Sequence, residues 1–312
     1  MEKIHLSVVI PFFEEEDIIE KMLLSVLGIM KEIGKSFEIV CIDDGSKDRT
    51  WEILKGLTAE NPEIRALRLS RNFGKESALC AGLENAKGDV VITIDGDMQH
   101  PPELIPEFIK KWENTKANVI EGVKVDRGQE GLLSKIGAGL FYSIISRLSG
   151  FDLKGASDFK LMDREFVDSW KQMPERSVFF RGMNEWLGYK REVIQFEVAP
   201  RVQGKSKWSL FSLIKLAFSG VTAFTSFPMH IITFAGLIFL VFSTLLGLQT
   251  LYNKFTGVAV DGFTTVILLL LIIGSVLMLG LGVIGEYISR IYNEVKNRPR
   301  YVISERRGID KN

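Results

Sequence analysis

Three short segments of the chain set carboxylates directly after apolar, β-branched runs. Pro11-Phe12-Phe13-Glu14-Glu15-Glu16-Asp17 follows the first run, Asp43-Asp44-Gly45-Ser46 follows Val40-Cys41-Ile42, and Asp95-Gly96-Asp97 follows Val91-Ile92-Thr93-Ile94. Each has a plain structural explanation alone: acids favour the first turn of a helix, and Asp-Gly-Ser makes a capped turn. Gathered at the mouth of one sheet, they would repel one another unless a cation or a hydrogen-bonded ligand offset the charge. Asp95-Gly96-Asp97 is the sharpest of the three. Two carboxylates separated by one small residue can hold a hard divalent cation and leave coordination positions for phosphate oxygens. That chemistry suits a nucleoside diphosphate leaving group, because the cation neutralises charge building on the departing diphosphate.

These segments need a scaffold that brings them to one edge. Leu6 to Ile10, Phe37 to Ile42 and Val90 to Ile94 read as strands and alternate with helical patterns at Asp17 to Lys31 and Thr50 to Leu57. This alternation predicts an α/β sheet with parallel strands, and such sheets bind ligands beyond the carboxyl ends of their strands. Residues 1–207 are expected to form that domain, which is long enough to bury a core.

The remaining chain has a different character. Leu216 to Asn253 and Gly262 to Gly285 carry no formal charge. About 20 apolar residues cross the hydrocarbon layer, so Ile231 to Leu251 and Phe263 to Ile284 each read as a membrane helix. Pro228 is expected to separate Trp208 to Phe227, which reads either as an interfacial helix or as an ordinary core helix. The predicted organisation is therefore 1–207, an amphipathic segment 208–228, spans at 229–252 and 263–285, an extracytoplasmic loop 253–262, and a basic tail 286–312. The loop carries only Lys254, whereas Lys205, Lys207 and Lys215 precede the first span, and Arg290, Lys296, Arg298, Arg300, Arg306, Arg307 and Lys311 follow the second. The positive flanks place the large domain and both termini on the cytoplasmic side. No charged-then-apolar signal segment is read at Met1 to Pro11.

Composition excludes several classes. The 39 basic and 39 acidic residues cancel, which argues against a basic nucleic-acid binder. With 46% hydrophobic and 25% charged residues the chain is not disordered, and two cysteines, Cys41 and Cys80, exclude a disulfide scaffold. Gly280-Leu281-Gly282-Val283-Ile284-Gly285 fits a dinucleotide fingerprint but lies inside an expected span with no preceding strand, so it reads as helix packing or chance. His5, His100 and His230 lack metal-ligand spacing.

Several motifs together resemble a known family. Asp43-Asp44-Gly45-Ser46, Asn72-Phe73-Gly74-Lys75, Ala81-Gly82-Leu83, Gly88-Asp89 and Asp95-Gly96-Asp97-Met98-Gln99-His100-Pro101-Pro102 resemble family 2 glycosyltransferases of the GT-A fold. Ser157-Asp158-Phe159, Arg201 to Trp208, Gly285 to Ile288 and Val295 to Pro299 extend the likeness to polyprenyl-phosphate glycosyltransferases. Those include dolichol-phosphate mannose synthases and, more similar still, bactoprenol (undecaprenyl-phosphate) glucosyltransferases. The resemblance implies a GT-A domain with a Rossmann-like mixed sheet, interfacial helices and two transmembrane helices. It assigns Pro11, Phe13, Glu15 and Asp44 to the base and ribose of the donor, with neighbouring Asp43 among the nucleotide-sugar-binding residues. Asp95, Asp97 and Gln99 fall to the diphosphate and a Mg2+ or Mn2+ ion, with Asp95 and Asp97 as metal ligands. Arg201 and Lys207 match cations near the donor and acceptor phosphates, and Arg127 sits in a basic loop. Asp158 matches a residue proposed as base, although orienting the acceptor or Arg201, or capping a turn, would explain it equally. Glu14 and Lys124 depart from the pattern, which usually has Asn and Arg there.

The implied reaction is inverting transfer of one sugar, glucose from UDP-glucose first, to a polyprenyl phosphate at the inner or plasma membrane. The resemblance also implies a homotetramer, a separate flippase and a downstream transferase. The alternatives are a processive polysaccharide synthase and an inactive membrane scaffold. The former carries a Gln-x-x-Arg-Trp motif, and no tryptophan here follows an arginine.

Overall fold

The structure is a computed structural model that describes residues 5–124, 156–173, 175, 180–196, 227–256 and 262–308. The chain divides into two compact units: one comprises residues 1–146, 150–208 and 298–312, the other residues 147–149 and 209–297.

The first unit is built on an eight-stranded mixed sheet among the described residues. Its strands are β1 (Leu6–Phe12), β2 (Phe37–Asp43), β3 (Ile64–Leu69), β4 (Val90–Thr93), β5 (Val119–Lys124), β6 (Ala156–Asp163), β7 (Arg191–Phe196) and β8 (Ile303–Arg307). The spatial order is β7-β5-β6-β4-β1-β2-β3-β8. β4, β1, β2 and β3 run parallel, as the β-branched runs predict. The helices are α1 (Ile19–Ile33), α2 (Thr50–Glu60), α3 (Lys75–Asn85), α4 (Ile105–Thr115), α5 (Arg164–Lys171) and α6 (Phe180–Trp186).

Both faces of the sheet are covered, so its central strands are apolar on both sides. Leu6, Val8, Ile10 and Phe12 pack with Met22, Val26, Trp51, Phe108 and Phe159 on one face. Val9, Val40 and Ile42 pack with Leu79, Leu83, Phe166, Trp170 and Phe180 on the other. Cys41 and Cys80 are buried, unpaired members of these two layers; burial pushes the Cys80 thiol up to about 12 and Cys41 higher still.

Two features of the topology govern the site. First, β6 runs antiparallel to β4 with Lys160 opposite Thr93, so the beginning of β6 lies at the edge where β4 ends. Residues on either side of that turn in direction, Asp158 and Asp95, are thereby brought together. Second, the tail returns to the first unit and adds β8 antiparallel to β3. Ser70 N–H donates to Val302 O (2.8 Å), Trp51 Nε1 donates to Glu305 (2.9 Å), Tyr301 donates to Glu84 (2.5 Å), and Arg300 reaches Glu175 O (2.8 Å). This strand covers what would otherwise be the exposed edge of β3, and no periodicity in the basic tail announces it.

The second unit contains two long helices, α7 (Phe227–Phe255) and α8 (Phe263–Val295). Pro228 stands in the first turn of α7, where its missing N–H costs nothing. α8 runs ten residues past the expected end of the second span and includes Glu286, Arg290 and Glu294. Among the described residues one stretch, Ile272–Val295, is long and apolar enough to cross a membrane. Large apolar side chains stand exposed along both helices, including Phe234, Leu237, Leu245, Leu270, Leu277 and Met278. Of the fingerprint-like glycines, Gly280 packs close to Ile232, and nothing lies near a side chain at Gly282 or Gly285.

Candidate active site

The carboxyl ends of β1, β2 and β4 and the loop after β3 enclose a cleft of about 240 Å³. Pro11, Phe13, Glu15, Asp44, Asp95 and Asp97 line it, together with Asn72, Gly74 and Lys75. Six of the residues singled out from sequence thus meet at one sheet edge.

Each wall has a local cause. After β1 the chain turns through Glu14, which takes a left-handed conformation (φ 55°). Its N–H donates to the Ser46 hydroxyl (3.0 Å), and Glu15 N–H donates to Thr50 Oγ1 (3.0 Å). The Glu14–Asp17 acids therefore form a pinned loop ahead of α1. Phe13 keeps 40% of its surface exposed there, leaving an aromatic face open beside the cleft.

Asp44, buried at the end of β2, accepts from the N–H groups of Phe73 (2.8 Å) and Gly74 (2.9 Å). Burial raises its pKa, and those two N–H groups oppose the rise. By clamping the Asn72–Lys75 loop, Asp44 fixes the start of α3. Asp43 is buried behind the cleft: it accepts from Ser46 N–H (3.0 Å), faces Arg68 (3.2 Å), and does not line the cavity. Gly45 (φ 70°) passes so close to the Arg71 backbone that a Cβ would lie 2.4 Å from it, which restricts this turn to glycine.

Asp95-Gly96-Asp97 follows β4. A Cβ on Gly96 would lie 2.5 Å from the Phe12 ring, so glycine permits the loop to fold against β1. Asp97 accepts from Gln99 N–H (3.1 Å). Gln99 is not among the lining residues. Buried His100 braces the loop from behind, packed against Phe159 and Phe196 with Nδ1 3.4 Å from both Asp95 N and Asp95 Oδ2.

A compact charge cluster extends inward from the cleft wall. Lys75, at the first position of α3, sets Nζ 2.6 Å from Asp95 Oδ1 and 2.5 Å from Asp158 Oδ2. Arg181 donates to Asp158 through Nε (2.9 Å) and Nη2 (3.1 Å). Thr93 Oγ1 donates to Asp158 O (2.6 Å), tying β4 to the start of β6. Burial alone would raise the Asp158 pKa, but Lys75 and Arg181 hold it below the usual carboxylate range. Burial disfavours the Lys75 ammonium, and Asp95 and Asp158 outweigh that and keep it charged. Glu76 accepts from Phe180 N–H (2.8 Å); burial, then the Asp158 charge, push its pKa up to about 7.

The donor set suits a hard divalent cation. Asp95 Oδ1 is buried, and the Lys75 ammonium 2.6 Å away compensates its negative charge. Among the described residues no group of three acidic or histidine side chains converges. A site of one or two carboxylates completed by substrate phosphates fits that arrangement.

Arg127, Arg201 and Lys207 lie outside the described residues, as does most of segment 208–228. Lys75, Glu76 and Arg181 were not picked out as site residues from the sequence. Lys75 carried a signal, because it follows Asn72-Phe73-Gly74 and Gly74 has φ 96° at the cap of α3. Arg181 carried none.

The acidic edge of the sheet falls within residues that match a glycosyltransferase model: residues 7–168 match glycosyl transferase family 2. The chain belongs to glycosyl transferase family 2. It is 39% identical over 302 residues to the SfII prophage-derived bactoprenol glucosyl transferase of Shigella flexneri, covering 96% of this chain and 97% of that one. It is 38% identical over 312 residues to an uncharacterized glycosyltransferase of Synechocystis sp., covering 98% and 97%. It is 37% identical over 300 residues to a prophage bactoprenol glucosyl transferase homolog of Escherichia coli K12, covering 96% and 98%.

Proposed function

We propose that the protein transfers one hexose, glucose from UDP-glucose first, to the phosphate of a membrane polyprenol such as undecaprenyl phosphate, with inversion and with a divalent cation. The observation that carries this reading is the single cleft shared by Phe13, Asp44, Asp95, Asp97 and Lys75. Support for the acceptor comes from relatives named bactoprenol glucosyl transferases, which the chain matches from end to end.

In this reading Pro11, Phe13, Glu15 and Asp44 bind base and ribose. Asp95 and Asp97 would hold Mg2+ or Mn2+, which when bound neutralises charge on the leaving diphosphate. A lipid monophosphate is largely dianionic at neutral pH, on the analogy of phosphoserine with a second pKa of about 6. It is nucleophilic without a base. Asp158 has two cations on its carboxylate and a lowered pKa, so it acts as an orienter of Lys75 and Arg181 rather than as a proton acceptor. Arg127, Arg201 and Lys207 are assigned to donor and acceptor phosphates, where an arginine fork fits best. In-line displacement on an α-linked donor then gives a β-linked lipid phosphate.

We assign α7 and α8 to two membrane spans with both termini cytoplasmic, because exposed apolar side chains run along both helices and the positive charge lies on the outer flanks. The bilayer would retain the lipid tail while its phosphate reaches the sheet edge.

The test is to incubate membranes carrying the protein with labelled UDP-glucose, Mn2+ and undecaprenyl phosphate. A single lipid-linked sugar, lost on EDTA treatment and in Asp97→Asn, is expected. A growing polymer would favour the processive alternative, and no label in lipid with any sugar nucleotide would reject the transfer.

A further inference from the structure

Lys75 joins two carboxylates with different resources. On one side, Asp158 also holds Arg181 through two hydrogen bonds, so it keeps a counter-charge if Lys75 moves. On the other, Asp95 Oδ1 is buried and has the Lys75 ammonium 2.6 Å away as its close counter-charge. The Lys75 side chain is 42% exposed, lines the cleft, and has a long unbranched stem. An ammonium and a divalent cation would claim the same Asp95 oxygen.

We propose that Lys75 is a positioning residue that serves as the exchangeable counter-ion of Asp95. It holds Asp95 and Asp158 together before the donor binds and competes with a divalent cation for Asp95. On loading it turns from Asp95 toward the donor diphosphate while staying paired with Asp158. This rests on Asp95 and Asp97 being the cation site. The arrangement links cation binding to donor binding: the cation alone must displace a positive charge, whereas the cation with a diphosphate gives that charge a new partner. No covalent step is involved.

The test is Mn2+ binding to the full-length detergent-solubilised protein, followed by electron paramagnetic resonance with and without UDP. Lys75→Met is expected to bind Mn2+ about tenfold tighter than wild type without UDP, since a nearby like charge is gone. In Mn2+ the same variant is expected to bind UDP about tenfold more weakly, and Lys75→Arg should restore both values toward wild type. A purely structural lysine would not tighten Mn2+ when removed. Equal or weaker Mn2+ binding in Lys75→Met, with an unchanged melting temperature, overturns the inference. A wild type with no Mn2+ affinity defeats the cation site itself and Lys75 with it, which distinguishes the two failures.

A second measurement on wild type needs no variant. Amine-reactive labelling of Lys75, read by mass spectrometry, should accelerate with Mn2+ alone and slow with Mn2+ plus UDP. A labelling rate that neither addition changes overturns the proposal.

Discussion

Asp158 is the residue on which a base and an orienter make opposite predictions, and its surroundings set the size of the effect. Its carboxylate is buried, with Lys75 Nζ at 2.5 Å and Arg181 nitrogens at 2.9 and 3.1 Å. Two unit charges about 4 Å apart interact by about 4 kcal/mol at the effective dielectric of a protein surface, and breaking a buried pair costs about 3–5 kcal/mol. Asp158→Asn and Arg181→Gln should therefore each destabilise the protein by about 3 kcal/mol, because the first strands the Arg181 charge and the second leaves a buried carboxylate with Lys75 alone. Removing both should cost little more than removing one, a coupling of about 2 kcal/mol. For a domain of this size each single change corresponds to a fall of roughly 10 °C in Tm, measured on the detergent-solubilised chain. Transfer rates should follow the same pattern, with the double variant no slower than the worse single. The pH profile gives an independent check. The folded-state pKa of Asp158 lies below its ordinary value, so the pairing is fully present above about pH 4 and is lost only as pH falls further. An acid limb of activity near pH 6 should accordingly survive in Asp158→Asn. Stability losses that add to within about 0.5 kcal/mol, or an acid limb abolished by Asp158→Asn, would refute the orienting role.

Other expectations follow from single contacts. Gly96→Ala puts a methyl 2.5 Å from the buried Phe12 ring, so it should cost about 1–3 kcal/mol and displace the Asp95–Asp97 loop. Transfer should fall by about 100-fold or more, measured with labelled donor, since misplacement by about 1 Å is enough for that. Glu76 has a raised pKa of about 7 against an ordinary 4.5, so the unfolded state ionises first and its contribution turns unfavourable as pH rises from about 4.5 to 7. Glu76→Gln, which can still accept from Phe180 N–H, should match wild type in unfolding free energy near pH 4.5 and exceed it at pH 8 by up to about 3 kcal/mol, measured by denaturant titration. Ending the chain before Arg298 removes β8 and bares the edge of β3, so light scattering should report aggregation at temperatures the full chain tolerates.

The chemistry-bearing strand ends were legible because they are local. A β-branched run followed by Asp-Gly-Asp or Asp-Asp-Gly-Ser needs only the parallel-sheet rule to be placed at a binding edge, and β1, β2 and β4 end within two residues of the ends of their apolar runs. The two long apolar helices were legible for the same reason, since the absence of charge is a property of consecutive residues. Gln99 and Asp43 were assigned through the family resemblance; Gln99 N–H donates to Asp97 and Asp43 accepts from Ser46 N–H, and neither lines the cleft.

What the sequence by itself determined is thus the α/β order, the acidic edge and the apolar segments, all of which depend on neighbours within one element. Only the tertiary structure decided which cations meet that edge. Lys75 lies 83 residues from Asp158 and Arg181 lies 23 from it, and they meet because β6 reverses direction beside β4. The same holds for β8, which closes the far edge of the sheet from a tail whose partners are more than 200 residues away. Charge pairing acts through space at a few ångströms, and no pattern along the chain records which distant segments the sheet will bring within that range.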